Sequence, residues 1–218
     1  DKLKEAGRAF ASGEFARADR ICRHLLSLVP AEVRTLRLMA RIARRLRHFE
    51  ISTSILAQCL EAQPGNADLG LEYAHSLHAN RKHREALERC QNLLGLAPEN
   101  LGIYELKAEV LYGLGRYAEA LAIYRELAEV SEQRAAALLP LGKVLKAVGD
   151  TPAAIDCFHA AMQDKHASPQ AFWELANLRT YRFSRDEIET LRALLKVPEI
   201  TAINKVLIQF ALGKALED

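Results

Sequence analysis

Basic side chains with helical spacing are concentrated in one short segment of the chain. Four arginines recur there at intervals of three and four residues: Arg34, Arg37, Arg41 and Arg44. No acidic residue occurs between Glu32 and Glu50. On an isolated helix each like-charge pair at this spacing costs about 0.2–0.5 kcal/mol, so the cluster indicates a surface that binds anionic groups. A solvated helix face, partly neutralised by carboxylates such as Asp68 or Glu72, explains the pattern equally well.

The residues that could act as nucleophiles form no recognisable catalytic pattern. Four cysteines occur without a C-x-x-C pair: Cys22, Cys59, Cys90 and Cys157. Their positions in the chain predict buried apolar sites rather than reactive thiols. The chain also lacks a glycine-rich phosphate loop, a nucleophile beside a base, and paired carboxylates in a pocket. We therefore predict no catalytic residue, no metal and no cofactor in this segment.

The composition indicates a soluble helical protein without nucleic-acid or membrane partners. The chain has 218 residues, of which 50% are apolar and only 6% aromatic, and its net charge is +2. That low net charge argues against a nucleic-acid binder, and no run of about eighteen apolar residues is present to span a membrane. The cysteine usage suits a reducing compartment, so we expect a cytoplasmic location.

Small residues recur with a period of 34 across nearly the whole chain. One series is Ala6, Ala40, Ala74, Ala108, Gly142 and Ala176, and a second, twelve residues later, is Ala18, Ser52, Ala86, Ala120 and Ala154. Turn glycines fall between the two series at Gly13, Gly115 and Gly149. Two small positions on either side of a turn are typical of two antiparallel helices that approach closely. Such a hairpin cannot bury its apolar face alone and must stack on its neighbours.

This period and its helix-turn-helix content resemble the tetratricopeptide repeat family over the whole chain. The resemblance implies an all-α fold, a right-handed superhelix (α-solenoid) of about six helical hairpins plus a C-terminal helix. We assign residues 1–198 to the six repeats. Residues 199–218 would begin a further repeat or form a capping helix, truncated before a catalytic domain. Within them we predict a helix over residues 202–217, with Thr201 as its N-cap.

In tetratricopeptide proteins the first helix of each repeat lines a concave groove through four positions. Carried onto this sequence, the candidate groove residues are Arg34, Arg37, Arg41, Arg44, His75, His78, Glu105, Glu109, Tyr112, Lys143, Lys146, Trp173 and Asn177. The sign of the groove alternates along the chain, which favours an extended protein or peptide segment with acidic residues toward one end as the partner. His75 and His78, with Glu105 and Glu109, could also be drawn as a metal site, although two histidines three residues apart indicate one only weakly.

Two motifs near the end of the chain carry a more specific resemblance. They are FWELANLRTYRFS at residues 172–184 and FALGKALED at residues 210–218. Over roughly residues 169–218 the chain resembles bacterial proteins in which tetratricopeptide repeats precede a sulfotransferase domain that uses 3′-phosphoadenylyl sulfate (PAPS). No position matches the phosphosulfate-binding loop of that family. PAPS is therefore implied for the parent protein alone, and no cofactor-binding residue is assigned.

The resemblance implies a module that recruits a protein or peptide acceptor for an attached PAPS-dependent sulfotransferase. One alternative is a stand-alone scaffold or adaptor with no enzymatic activity. Another is that the repeats form a homodimer interface and leave acceptor choice to the catalytic domain. If residues 199–218 are the first half of a truncated repeat, their helix should carry an apolar face without a partner, which we expect to include Leu207, Phe210 and Leu212.

Overall fold

The computed structural model describes residues 2–130, 134–164, 168–198 and 200–217, with the exception of the side chains of residues 134–136. Glu199 and Asp218, which fall in the predicted C-terminal segment, lie outside these residues. The described residues form thirteen α-helices and no strand, and the helices are α1 Lys2–Ala11, α2 Phe15–Leu28, α3 Val33–Arg45, α4 Phe49–Ala62, α5 Ala67–Ala79, α6 His83–Leu96, α7 Leu101–Gly113, α8 Tyr117–Val130, α9 Arg134–Val148, α10 Thr151–Ala161, α11 Ser168–Ala176, α12 Arg185–Leu194 and α13 Ala202–Glu217. The all-α repeat fold is thus confirmed.

The small residues of the two series lie where helices cross. Ala6, Ala40, Ala74 and Ala108 are fully buried, as are Ala18, Ser52, Ala86, Ala120 and Ala154. Gly142 shows how close the approach is, because a Cβ atom built there would lie 2.6 Å from Cε1 of Phe158 in α10. In a densely packed interior such an approach leaves no room even for the methyl group of alanine at Gly142.

The turns between paired helices share one backbone conformation. Gly13, Gly115 and Gly149 have positive φ angles of 81°, 74° and 90°, as the sequence suggests. Arg47 and Arg81 occupy the same repeat position, with φ of 63° and 58°. Around Arg81 the Lys82 amide donates to the Leu77 carbonyl at 2.9 Å and the Arg81 amide donates to the His78 carbonyl at 3.0 Å. These are the two bonds of a Schellman motif, which ends a helix with one residue in the left-handed region.

Polar side chains also begin three of the helices at the same period. Glu32, Asn66 and Asn100 cap α3, α5 and α7 by accepting hydrogen bonds from backbone amides of the first turn. Such caps satisfy donors that a helix start leaves unpaired. Burial opposes ionisation of Glu32, but hydrogen bonds from Thr35 and Arg34 hold its pKa below the ordinary value.

The chain divides into two compact units, Asp1–Leu114 and Gly115–Asp218. In the first unit, α1 to α6 pack as three successive hairpins, and α7 packs on α6 and α5. The odd-numbered helices contact one another, α1 with α3 and α5 with α7, so they share a face of this unit.

In the second unit, α9 packs against α8 and α10, while α11 and α12 both pack on α13. A cluster around Phe172, Leu191 and Ile208 forms the core of that last group. The predicted helix over residues 202–217 is present, and Thr201 caps it, because its Oγ1 accepts a hydrogen bond from the Asn204 amide at 3.2 Å.

The apolar face of α13 differs in part from the prediction. Leu212 is wrong as an unpartnered residue, because it packs against the Phe172 cluster, and Leu207 is half-buried. Phe210 does project outward, with 48% of its surface exposed. Ile203 and Val206 are also exposed, and they lie seven and four residues before Phe210, on the same side of the helix. The exposed apolar stripe of α13 is therefore Ile203, Val206 and Phe210.

An irregular segment between α11 and α12 replaces the repeat's usual turn. The Tyr181 hydroxyl donates a hydrogen bond to Glu187 and lies 2.6 Å from Nε2 of His159 in α10. Phe183 stacks on Phe172, so an aromatic side chain fills the place of the turn glycine. Burial raises the pKa of Tyr181, and the hydrogen bond to Glu187 raises it further. Through these two contacts the uncharged side chain of Tyr181 holds the segment against α10 and α12.

Candidate functional site

In the first unit, the arginines of α3 differ in how they are held. Arg37 Nη2 donates to Glu72 Oε1 of α5 at 3.0 Å, which raises the pKa of Arg37. The alternative of partial neutralisation by a neighbouring carboxylate is thus confirmed for this one arginine. The second oxygen of Glu72 is buried and accepts no hydrogen bond from the described residues.

Aromatic rings of the first repeat support two further arginines. The guanidinium of Arg41 lies 5.1 Å from the ring centre of Phe10, and that of Arg45 lies 5.9 Å from the ring centre of Phe15. Stacking of this kind holds the cation through its face. The N–H groups at the edge of each guanidinium stay available to an incoming anion. Arg41 and Arg45 are accordingly both exposed and oriented.

The remaining guanidinium groups of α3 form no ion pair in the described part of the chain, although the charge of Arg34 contributes to the lowered pKa of Glu32. Arg34 is exposed and Arg44 is half-buried, and neither forms an ion pair there. Arg41 likewise lacks a carboxylate partner. Three predicted groove residues therefore present guanidinium groups without an ion pair on one helix face, while the fourth, Arg37, is paired with Glu72.

The histidines of α5 continue this face as neutral groups. His75 and His78 are both half-buried. Burial lowers the pKa of His75 to about 4, and the positive charges of Arg44 and His78 add to the effect. Burial also lowers the pKa of His78, with a further contribution from His83. The imidazoles thus carry no charge near neutral pH, although they occupy the repeat positions that Arg41 and Arg44 hold in α3.

The three predicted residues of α7 complete the candidate surface of the first unit. Glu105 and Glu109 are exposed on α7, and Tyr112 has 38% of its surface exposed. Because α7 packs beside α5, the acidic pair stands next to the histidine helix. The described residues contain no group of three or more His, Cys, Asp or Glu side chains arranged to hold a metal, so these glutamates and His75 and His78 do not converge as one site.

In the second unit, two predicted lysines converge on a carboxylate that the sequence analysis did not single out. Lys143 Nζ of α9 lies 3.6 Å from Glu174 Oε1 of α11, and Lys146 Nζ donates a hydrogen bond to Glu174 Oε2. Glu174 is only 3% exposed. Glu174 lies three periods after Glu72, at the repeat position that Leu38 and Leu106 also hold. Because both leucines are buried, this shared position could have predicted that Glu174 is buried too.

The other two predicted residues of the second unit flank this buried glutamate. Trp173 is half-buried on α11, and Asn177 is exposed, with its side-chain amide donating to the Trp173 carbonyl at 2.7 Å. They share the surface with the two lysines. The partly neutralised cluster has one net positive charge with an aromatic ring beside it.

The cysteines are placed as the sequence predicts. Cys22, Cys59 and Cys90 are buried and Cys157 is half-buried. Burial raises the pKa of all four thiols, to about 11 for Cys22 and Cys90. A thiol that stays protonated is a poor nucleophile. None of the helices in the described residues combines the length and the apolar content needed to cross a membrane.

Comparison with known proteins agrees with the helical repeats. Residues 77–139 match the model of a tetratricopeptide repeat family. Among curated proteins, an uncharacterized protein, y4yS, of Sinorhizobium fredii is 32% identical over 74 residues, which cover 34% of this chain and 41% of that protein. The matched part of the chain thus spans less than half the length of this relative.

Solved structures show the same fold at low sequence identity. A tetratricopeptide repeat protein from Parabacteroides merdae has a TM-score of 0.79 and 11% identity, covering 97% of this chain and 83% of that one. PilF of Pseudomonas aeruginosa has a TM-score of 0.65 and 15% identity, covering 95% of each. YrrB, described as having an unusual peptide-binding site, has a TM-score of 0.57 and 17% identity, covering 78% and 89%. The chain therefore shares the all-α repeat fold of these structures, and its residues 77–139 are similar to the tetratricopeptide repeat.

Proposed function

We propose that the chain is a peptide-binding module whose first unit holds an acidic segment on the exposed face of α3. The observation that carries the proposal is the set of guanidinium groups of Arg34, Arg41 and Arg44, which form no ion pair in the described part of the chain. Like charges at helical spacing disfavour the helix that carries them. A bound carboxylate or phosphoryl group would relieve that repulsion, because guanidinium groups bind such anions with paired hydrogen bonds.

The support of Arg41 by Phe10 favours binding further. A guanidinium that is already oriented loses less conformational entropy when an anion arrives. The face changes from basic on α3 to neutral histidines on α5 and acidic side chains on α7. An extended ligand would therefore place its acidic residues over α3 and uncharged or basic residues toward Glu105.

The test measures the affinity of a labelled peptide with alternating acidic residues by fluorescence anisotropy. Its control peptide has glutamine and asparagine in place of glutamate and aspartate. We expect Arg41→Glu with Arg44→Glu to weaken binding of the acidic peptide and to flatten its salt dependence. Arg37 is left unchanged because its ion pair with Glu72 would confound the result. Arg84→Glu, on the exposed surface of α6, is the matched control and should leave affinity unchanged. Equal affinity for both peptides would refute the proposal.

We also propose that the natural protein carries a cytoplasmic PAPS-dependent sulfotransferase domain, for which these repeats recruit the acceptor. The support is the resemblance of residues 169–218. The two motifs that carry it pack together, because Phe172 and Phe183 of the first share a core cluster with Ala211 and Leu212 of the second. The intact mass of the protein from its source cells, followed by sulfate transfer from PAPS, tests this. A mass near 24.3 kDa would favour a stand-alone adaptor instead.

The homodimer alternative has one specific observation in its favour. The exposed apolar stripe of α13, with Ile203 74% and Val206 63% exposed, is the kind of surface that subunit contacts cover. Sedimentation at increasing concentration distinguishes the two roles. A mass that doubles with concentration, and returns to the monomer value in Phe210→Asp, would favour dimerisation over acceptor binding.

A further inference from the structure

We propose that His78 and His83 form a zinc-binding pair at the turn that joins α5 to α6. Their Nδ1 atoms lie 3.2 Å apart and face each other across the turn. The rings are tilted by 53° with centres 4.9 Å apart, so they are not stacked. This pair is separate from the α3 face on which the proposed function rests, and either idea can fail without the other.

The separation of the two nitrogens suits tetrahedral zinc. With Zn–N bonds of about 2.0–2.1 Å, two ligands 3.2 Å apart subtend an N–Zn–N angle of about 103°. A square-planar ion such as Cu²⁺ would require nitrogens about 2.9 Å apart at the same bond length. The present distance is therefore closer to the tetrahedral than to the square-planar spacing.

The contact between the rings requires one of the two Nδ1 atoms to accept a hydrogen bond, so at least one imidazole presents a lone pair there. A histidine binds through a neutral nitrogen, so a proton on that atom competes with the ion. Burial and the neighbouring ring lower the pKa of His78, which keeps it neutral near pH 7. Binding of zinc to both Nδ1 atoms would replace the hydrogen bond between the rings, and the ring that carries its proton on Nδ1 would carry it on Nε2 instead, so that both imidazoles stay neutral.

The surrounding backbone fixes this pair before any ion arrives. The Schellman hydrogen bonds of Arg81 and Lys82 hold the turn between the two histidines. On the other side, a Cβ atom at Gly113 would come within 3.0 Å of the His83 ring, and glycine leaves that ring its position. His78 lies in the last turn of α5, where the helix dipole favours a cation.

Water would supply the remaining ligands. Both rings are half-buried, and the described residues arrange no group of three or more His, Cys, Asp or Glu side chains that could complete the site. The expected site is therefore open, with two protein ligands and two waters.

The experiment titrates tag-free full chain with Zn²⁺ at neutral pH by calorimetry. We expect one zinc per chain and a rise in thermal midpoint, because binding to the folded state stabilises it. Even outer-shell partners of metal ligands contribute about 10–100-fold in affinity, so His78→Ala and His83→Ala should each weaken binding by at least that much. His24→Ala, which removes an exposed histidine of α2, is the matched control and should bind as the parent does.

Two further measurements keep the outcome decisive. Far-UV circular dichroism establishes that each variant is folded, and His78→Gln with His83→Gln repeats the test with polar replacements. Co²⁺ serves as a coloured substitute, for which intense visible absorption indicates tetrahedral coordination. Absence of zinc binding to the parent chain, or undiminished binding to the variant with both His78→Gln and His83→Gln, would overturn the proposal.

Discussion

The buried carboxylate of Glu174 in α11 accepts a hydrogen bond from Nζ of Lys146 in α9. Lys143 reaches the other carboxylate oxygen at 3.6 Å, so a single acid balances two bases. The exposures of the partners are unequal, since the lysine side chains are 34% and 30% exposed and that of Glu174 is 4% exposed. Removing the two lysines should therefore change the free energy of unfolding by a different amount from removing the carboxylate.

We predict that Lys143→Met with Lys146→Met destabilises the protein more than Glu174→Gln does. Without the lysines a buried carboxylate has no counter-charge, which costs about 3–5 kcal/mol. Without the carboxylate the lysines can turn to water, and glutamine retains some hydrogen bonding, so the loss should be nearer 1 kcal/mol. The free energy of unfolding in urea measures both. A larger loss for Glu174→Gln would contradict this account.

Gly142→Ala should destabilise the protein by about 1–3 kcal/mol, because the added methyl group overlaps the ring of Phe158. Gly213→Ala in α13 is the matched control. It is also within a helix of the second unit, but a Cβ atom there meets nothing within 4 Å. That substitution should stabilise by about 0.5–1 kcal/mol through helix propensity alone. Thermal melts of the two variants should shift in opposite directions.

Arg81→Gly should stabilise the first unit by roughly 0.5–1 kcal/mol. A residue with a side chain pays about 1–2 kcal/mol in the left-handed region, and the extra freedom of glycine in the unfolded chain offsets part of the gain. Gly149→Ala tests the converse, because its φ is 90° and no atom would obstruct the methyl group. Chemical unfolding should show a loss of about 1 kcal/mol. A neutral result at both positions would mean that the turns are unstrained.

His75 should make the first unit less stable as the pH falls from about 6.5 to 4. In the unfolded chain the imidazole takes up a proton near its ordinary pKa, whereas the folded chain takes it up only near 4. The unfolded state thus binds more protons in this window, and stability decreases by an amount on the order of 2 kcal/mol. Urea unfolding at pH 7.5 and at pH 4.5 should show a smaller acid-induced loss for His75→Gln than for the parent chain. Parallel losses would exclude His75 as the cause.

The period of 34 residues predicted the fold in detail because it depends on local sterics. Small residues such as Ala86 had to mark helix crossings, and Gly13 and Gly149 had to mark turns with positive φ. The same counting could have placed Arg47 and Arg81 in that conformation. Their residue type concealed it, since arginine rarely adopts a positive φ.

The candidate site was less predictable, because partners between helices are set by tertiary register. The arginine stripe was visible in the sequence, but its division into the paired Arg37 and the ring-supported Arg41 depends on Glu72 and Phe10, which lie on other helices. Lys146 was assigned to the groove from its repeat position, and only the packing of α11 revealed its hydrogen bond to Glu174. The network of Tyr181 lies where the period fails and had no sequence signal.

The buried position of Glu174 also bears on how the array avoids folding errors. Repeats that resemble one another can dock one period out of place while burying a similar apolar area. Glu174 disfavours such an error. If α11 packed one repeat too early, the carboxylate of Glu174 would lie beside Glu109, which holds the repeat position of Lys143. Two neighbouring carboxylates repel each other, and Glu174 would lose its contacts with Lys143 and Lys146. The buried charge of Glu174 thus favours packing of α11 against α9 over packing against another repeat.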